Sequence, residues 1–138
     1  ILRATWQAVA RMYNEEAAKY NATMATGFAL LSIDRENGSP STTLGPKMGM
    51  EATSLTRTLK SMEERGLITR KKNPTDGRGV IIQLTKEGKE KRELSKETVL
   101  RFNETVKQHI SEEKLQHFME VAEIINELIT DKKIYNDK

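Results

Sequence analysis

The sequence predicts a mainly α-helical chain carrying one short β-hairpin, and three observations predict it. Apolar residues recur at helical spacing on both sides of the centre, two β-branched runs at 67–72 and 80–85 flank a tip containing Pro, Asp and Gly, and basic residues concentrate between 41 and 86. In that central stretch nine Lys and Arg face four Asp and Glu, whereas the rest of the chain carries fourteen basic and sixteen acidic residues. Helix, Gly-containing corner, a second helix rich in Thr, Ser and Arg, then a basic hairpin is the order of a winged helix-turn-helix. That order offers one helix narrow enough for a DNA major groove and a hairpin for the backbone or minor groove.

Each element has its own signal. Leu2, Trp6, Val9, Tyr13, Ala17 and Tyr20 lie on one stripe of a helix over about 1–20. The run from 24 to 33 is apolar nearly all round, as expected for a central buried helix, and Asn37-Gly38-Ser39-Pro40 stops it with turn-forming pairs. Ser41, Thr42 and Thr43 are N-cap candidates for a short helix ending near Gly49. Because proline is tolerated only in a first turn, Pro46 predicts that this helix starts close to it or bends there. Leu55, Leu59 and Met62 form the core stripe of a helix over 52–65, which Gly66 ends. The hairpin's seven-residue tip is longer than a tight turn needs. A charged helix follows over 86–109, with a thin apolar line at Leu94, Thr98, Phe102, Val106 and Ile110, and Ser111-Glu112-Glu113 opens the last helix with a cap and two acids. That last helix has two adjacent apolar lines, Leu115, Phe118, Ala122, Ile125, Ile129 and Val121, Ile124, Leu128, more than one neighbour can cover. A second copy of the chain is the expected partner, since monomers rarely leave so large an apolar patch in water.

Composition bounds the function. With 138 residues the chain fits one domain, and its hydrophobic content of 36% against 31% charged residues suits long amphipathic helices. Without cysteine it has no disulfide, thiolate metal site, cysteine nucleophile or thiol redox sensor. No run approaches the ~18 apolar residues of a membrane span, and residues 1–6 lack a secretory layout, so the cytoplasm is the expected compartment. Starting at Ile1 rather than Met implies that a short N-terminal stretch precedes it. His109, Glu112, Glu113 and His117 crowd one helix junction but supply too few soft or imidazole ligands, so no metal and no cofactor is expected. No Gly-rich phosphate loop or Gly-x-Ser-x-Gly is present, so no enzymatic activity is expected.

The stretch 44–90 resembles the MarR family of bacterial winged-helix regulators, through Leu59-x-x-Met62-Glu63-x-x-Gly66-Leu67-Ile68-x-Arg70, Asp76-x-Arg78 and Leu84-Thr85-x-x-Gly88. The flanking helices fit the family layout as well, so the resemblance covers essentially the whole chain. It implies one domain over 1–138, with a DNA-binding lobe at 41–86 and a dimerisation region at 1–35 and 87–138. It further implies a homodimer on a pseudo-palindromic double-stranded DNA site, commonly a repressor of transcription released by a small aromatic or anionic effector. Two departures are Gly45-Pro46, in place of a helix-favouring pair, and Glu51, where many relatives carry a small capping residue.

On the 52–65 helix, the inward stripe leaves Thr53, Ser54 and Arg57 to face base edges or nearby phosphates, with Lys60 and Ser61 as phosphate contacts. At the hairpin tip, Arg78 suits the minor groove, Asp76 suits orienting Arg78 or Arg57 or capping the turn, and Lys71, Lys72, Asn73 and Thr75 suit backbone contacts. An ordinary solvated polar face is the alternative for each. Trp6, Tyr13 and Phe28, with Arg35 or Arg11 for an anion, are candidate effector residues, although aromatic residues at helical spacing more often form core or dimer interface. The competing class is a winged-helix module that binds protein and not DNA, against which the central positive charge argues.

Overall fold

The computed structural model describes residues 1–75 and 79–135. Among them the elements run α1 (Leu2–Ala18), α2 (Met24–Ser32), β1 (Ser39–Pro40), α3 (Ser41–Met48), α4 (Ala52–Glu64), β2 (Ile68–Lys72), β3 (Val80–Leu84), α5 (Lys86–His109) and α6 (Glu112–Thr130). The chain divides into two compact units, Ile1–Thr98 and Val99–Lys138.

In the first unit, α2 is the buried helix that the sequence predicts. Ala29 and Leu30 on it, with Ile33 just beyond, join Leu44, Leu55, Leu59, Met62, Leu67, Ile68, Ile82 and Leu84 in one core. Each Leu, Ile and Met among them contributes roughly 1.5–3 kcal/mol by leaving water. Thr23 caps α2, its Oγ1 accepting from the Thr26 amide at 3.2 Å, and Asn14 Oδ1 on α1 accepts from the Met24 amide at 2.9 Å.

The short helix α3 departs from expectation at its start and ends where expected. It begins at Ser41, with Pro40 rather than a Ser or Thr at the cap position and with no side-chain cap, and it carries Pro46 in its interior. Pro46 has no amide to offer the Thr42 carbonyl, and Gly45 before it, without a Cβ, eases only the part of the crowding that falls between the proline ring and the preceding side chain. Gly45 is also packed so closely that an added Cβ would stand 3.3 Å from the Met50 carbonyl oxygen. The helix ends at Gly49 in the left-handed conformation (φ 63°). The Met50 amide then closes onto the Gly45 carbonyl at 3.0 Å, the pattern that satisfies terminal carbonyls.

The sheet has a third strand that the hairpin signal does not contain. Its order is β1-β3-β2, antiparallel throughout, with Ser39 opposite Ile82 and Arg70 opposite Ile82 on the other side. Residues 39–40, expected as a turn, form an edge strand, where proline's missing N–H costs no ladder bond. Gly38 (φ 74°) makes the approach possible, since a Cβ there would lie 2.6 Å from the Ile82 carbonyl oxygen.

Below the sheet one hydroxyl joins three segments. Thr85 Oγ1 donates to the Gly66 carbonyl at 2.6 Å and accepts from the Gly88 amide at 3.0 Å, while the Thr85 amide donates to the Leu67 carbonyl at 3.0 Å. This ties the end of α4 to the start of α5. In the second unit, Ser111 caps α6 by accepting from the Lys114 amide at 3.2 Å. No residue of α6 is buried in the single chain.

The Thr85 junction leaves no room for a side chain at residue 88: a Cβ there would sit 2.0 Å from the Leu67 carbonyl oxygen. Gly88→Ala is therefore expected to destabilise the fold by about 1–3 kcal/mol or more, read from the denaturant midpoint. An unchanged midpoint would contradict this packing.

Candidate nucleic-acid interface

The outward face of α4 follows from how the helix is held. Leu55, Leu59 and Met62 are buried against α2, α3 and the sheet, the last two with 3% and 0% exposure. At 100° per residue this turns the opposite face outward, and Thr53, Ser54, Arg57, Lys60 and Ser61 are all exposed. Thr56 is exposed too, but its hydroxyl is engaged with the Ala52 carbonyl at 2.8 Å. Glu51 occupies the cap position without a side-chain cap bond, which leaves the first-turn amides of α4 without help from that carboxylate.

The wing strand β2 is buried only at Ile68, and Thr69, Arg70, Lys71 and Lys72 are exposed. Lys71 and Lys72 lie opposite Ile81 and Val80. Arg70 is tethered to the recognition helix, with its Nε 3.4 Å from Glu63 Oε1. At the tip, the Asn73 amide closes onto the Gly79 carbonyl at 3.0 Å. Asn73 Oδ1 accepts from both the Thr75 amide and the Thr75 hydroxyl, at 3.0 and 2.9 Å. Both side chains therefore shape the turn as well as standing beside it. Asp76 and Arg78 lie outside the described residues.

Of the candidate effector residues, Tyr13 and Phe28 meet edge to face, with ring centroids 6.1 Å apart. Burial pushes the Tyr13 phenol above its ordinary pKa. Trp6 is 53% exposed. The Arg35 guanidinium is engaged with Glu36 and stands 3.9 Å from Glu93. Arg11 is exposed. Among the described residues no cluster of His, Cys, Asp and Glu could hold a metal ion.

Three groups escaped the sequence reading. Asp34 organises the turn after α2: its Oδ1 accepts from the Glu36 and Asn37 amides at 3.0 and 2.8 Å, and its amide donates to Ser39 Oγ at 2.9 Å. Those backbone bonds hold its carboxyl below the usual range, helped by Lys47 and Arg92. Arg92 on α5 has its Nε buried without a partner. Lys47, counted among the charges available to DNA, donates instead to the Ser32 carbonyl at 2.7 Å. An aspartate followed by Asn-Gly was the available signal for the turn, while spacing alone contained nothing about Lys47.

The sheet, the exposed row on α4 and the turn at Gly49 define a winged helix-turn-helix. The chain is similar to the MarR family, whose family model matches residues 22–80. It is 33% identical over 88 residues to the organic hydroperoxide resistance transcriptional regulator of Bacillus subtilis, a match covering 64% of this chain and 60% of that regulator. The chain thus spans less than two thirds of that relative's length. Among solved structures, the S. aureus MepR-DNA complex is similar at a TM-score of 0.80, with 18% identity and 94% of each chain covered. The PcaV regulator of Streptomyces coelicolor in complex with its natural ligand is similar at 0.78, with 20% identity, 91% of this chain and 89% of that one covered.

The low pKa of Asp34 has a defined sign. A carboxyl held below its unfolded value of 3.8 contributes stability that is fully present above that pH and is lost as pH falls through the lower folded value. Asp34→Asn keeps the accepting oxygen and removes the charge. Its stability is expected to decline less steeply on acidification than that of the parent chain, as followed by denaturant melts at stepped pH. Parallel declines would show that the carboxylate charge contributes nothing there.

Proposed function

We propose that this chain is a homodimeric, sequence-specific regulator that binds a pseudo-palindromic site in double-stranded DNA and represses transcription until a small aromatic or anionic effector releases it. The observation that carries the reading is the exposure of Thr53, Ser54 and Arg57 on a helix whose other face is locked into the core. In the first turns of a recognition helix such side chains reach base edges: arginine can engage guanine O6 and N7 together, and threonine can meet a thymine methyl. Lys60, Ser61, Lys71, Lys72, Asn73 and Thr75 supply backbone contacts that fix register. In the same reading Arg78 is assigned to the minor groove and Asp76 to orienting Arg78 or Arg57 or to capping the turn.

Dimerisation is assigned to residues 1–35 and 87–138, and DNA binding to 41–86. Supporting this, each unit leaves large apolar side chains exposed in the single chain, Leu2 and Trp6 on α1 in the first and Phe118, Val121, Ile124 and Ile129 on α6 in the second, as suits cover by a second copy. The Tyr13–Phe28 pair is the nearest to an aromatic ligand wall. Among the described residues no helix is long and apolar enough to cross a membrane, and the proposed DNA ligand goes with a cytoplasmic protein.

Binding to cognate and scrambled duplexes across a salt series tests the reading. Arg57→Ala is expected to cost roughly tenfold on the cognate duplex and little on the scrambled one. Lys72→Ala should weaken both alike and lower the salt slope by about 0.9. Equal losses on both duplexes for Arg57→Ala would remove base reading from that residue. Sedimentation should give a dimer binding half-sites roughly 10 base pairs apart, and a monomer at working concentration would contradict the proposal.

A further inference from the structure

We infer that Lys47 is a positioning residue for the recognition helix and not a contact to DNA. The inference rests on the DNA-binding reading above and assigns this residue a part that the local excess of positive charge does not suggest.

The argument starts from an orphan carbonyl. Ser32 is the last residue of α2, and Ile33 beyond it is extended (φ −80°, ψ 131°). In a continuing helix the Ser32 carbonyl would accept from the Glu36 amide. That amide is instead bonded to Asp34 Oδ1 at 3.0 Å. The carbonyl lies at the negative end of the α2 dipole, where a cation is favoured, and the Lys47 ammonium fills that place at 2.7 Å, the length of a charge-assisted bond. The Asp34 carboxylate adds its field from the same turn.

What this contact holds is α3. A helix of eight residues cannot hold itself in one orientation, and its interior proline removes one of its own bonds. Leu44, fully buried, Met48, packed against the core, and the paired strand β1 that runs into it hold its body, and Lys47 holds its last turn, bridging fifteen residues back to α2. The Gly49 corner and the bond from the Met50 amide to the Gly45 carbonyl then pass that orientation to the start of α4, where Thr53, Ser54 and Arg57 sit. Lys47 thus links the buried helix to the aim of the reading helix.

Removing a phosphate contact and removing a positioning contact leave different signatures. Lys47→Met keeps the stem and deletes the ammonium, and Lys47→Arg keeps a charged donor. Lys47→Met is expected to lose roughly fivefold on the cognate duplex, the scale of an exposed charged hydrogen bond. The scrambled duplex should change less than about twofold, with the salt slope that of the parent chain, and Lys47→Arg should restore cognate binding. Equal loss on both duplexes with a slope lower by about 0.9, or no loss on either, overturns the inference. Amide spectra of the DNA-free protein judge the contact independently of the DNA-binding reading. Lys47→Met should move the resonances of Ile33 and of the first turn of α4, and unmoved resonances overturn the inference. If the parent chain binds no duplex, the regulator reading fails while these spectra still decide whether Lys47 orients α4. Should Lys47→Met not fold, Lys47→Gln, which keeps an uncharged donor, carries the same measurements.

Discussion

Burial of Leu55, Leu59 and Met62 along one stripe of α4 is the constraint from which the surface chemistry follows. Those three side chains occupy the space between α2, α3 and the sheet, and a helix held by three consecutive turns of its apolar face has no freedom to roll. Its polar residues are then presented in a fixed row, whatever their own preferences. A rotation of one residue, about 100°, would bring polar side chains into the core without partners.

The remaining contacts of the first unit brace that helix at its two ends. At its C-terminal end, Gly66, Leu67, Thr85 and Gly88 are joined by hydrogen bonds around the Thr85 hydroxyl and amide. At its N-terminal end the Gly49 corner and the Lys47–Ser32 contact brace α3. The Glu63–Arg70 pair runs from the helix to the wing. It is an exposed ion pair of small energetic weight, but it links the two elements proposed to touch DNA.

Much of this was legible in the chain itself. The helices and hairpin carried strong periodic or turn signals, and the core stripe of α4 was readable because period 3.6 leaves one face for burial. The strand at Ser39–Pro40 was not readable, because two residues are too few for alternation and its partner lies more than forty residues ahead. The start of α3 was misplaced because Ser41, Thr42 and Thr43 are good cap residues by type, whereas Pro40 takes the cap position and the helix tolerates Pro46 within it. The turn organised by Asp34 is local and its signal was there to be read, whereas the approach of Arg35 to Glu93 joins segments far apart in sequence, which no local pattern encodes. Charge counting did not separate Lys47, exposed but bonded to a backbone carbonyl, from Lys60, exposed on the outer face of α4.

The central claim is that the exposed face of α4 is the surface that meets the duplex. Titrating isotope-labelled protein with a duplex selected from a random pool, and following backbone amide shifts, tests it most directly. The account predicts that the largest changes fall on residues 52–61 and on the wing strand at 69–72. Changes confined to other surfaces, with the α4 resonances unmoved at saturation, would contradict it.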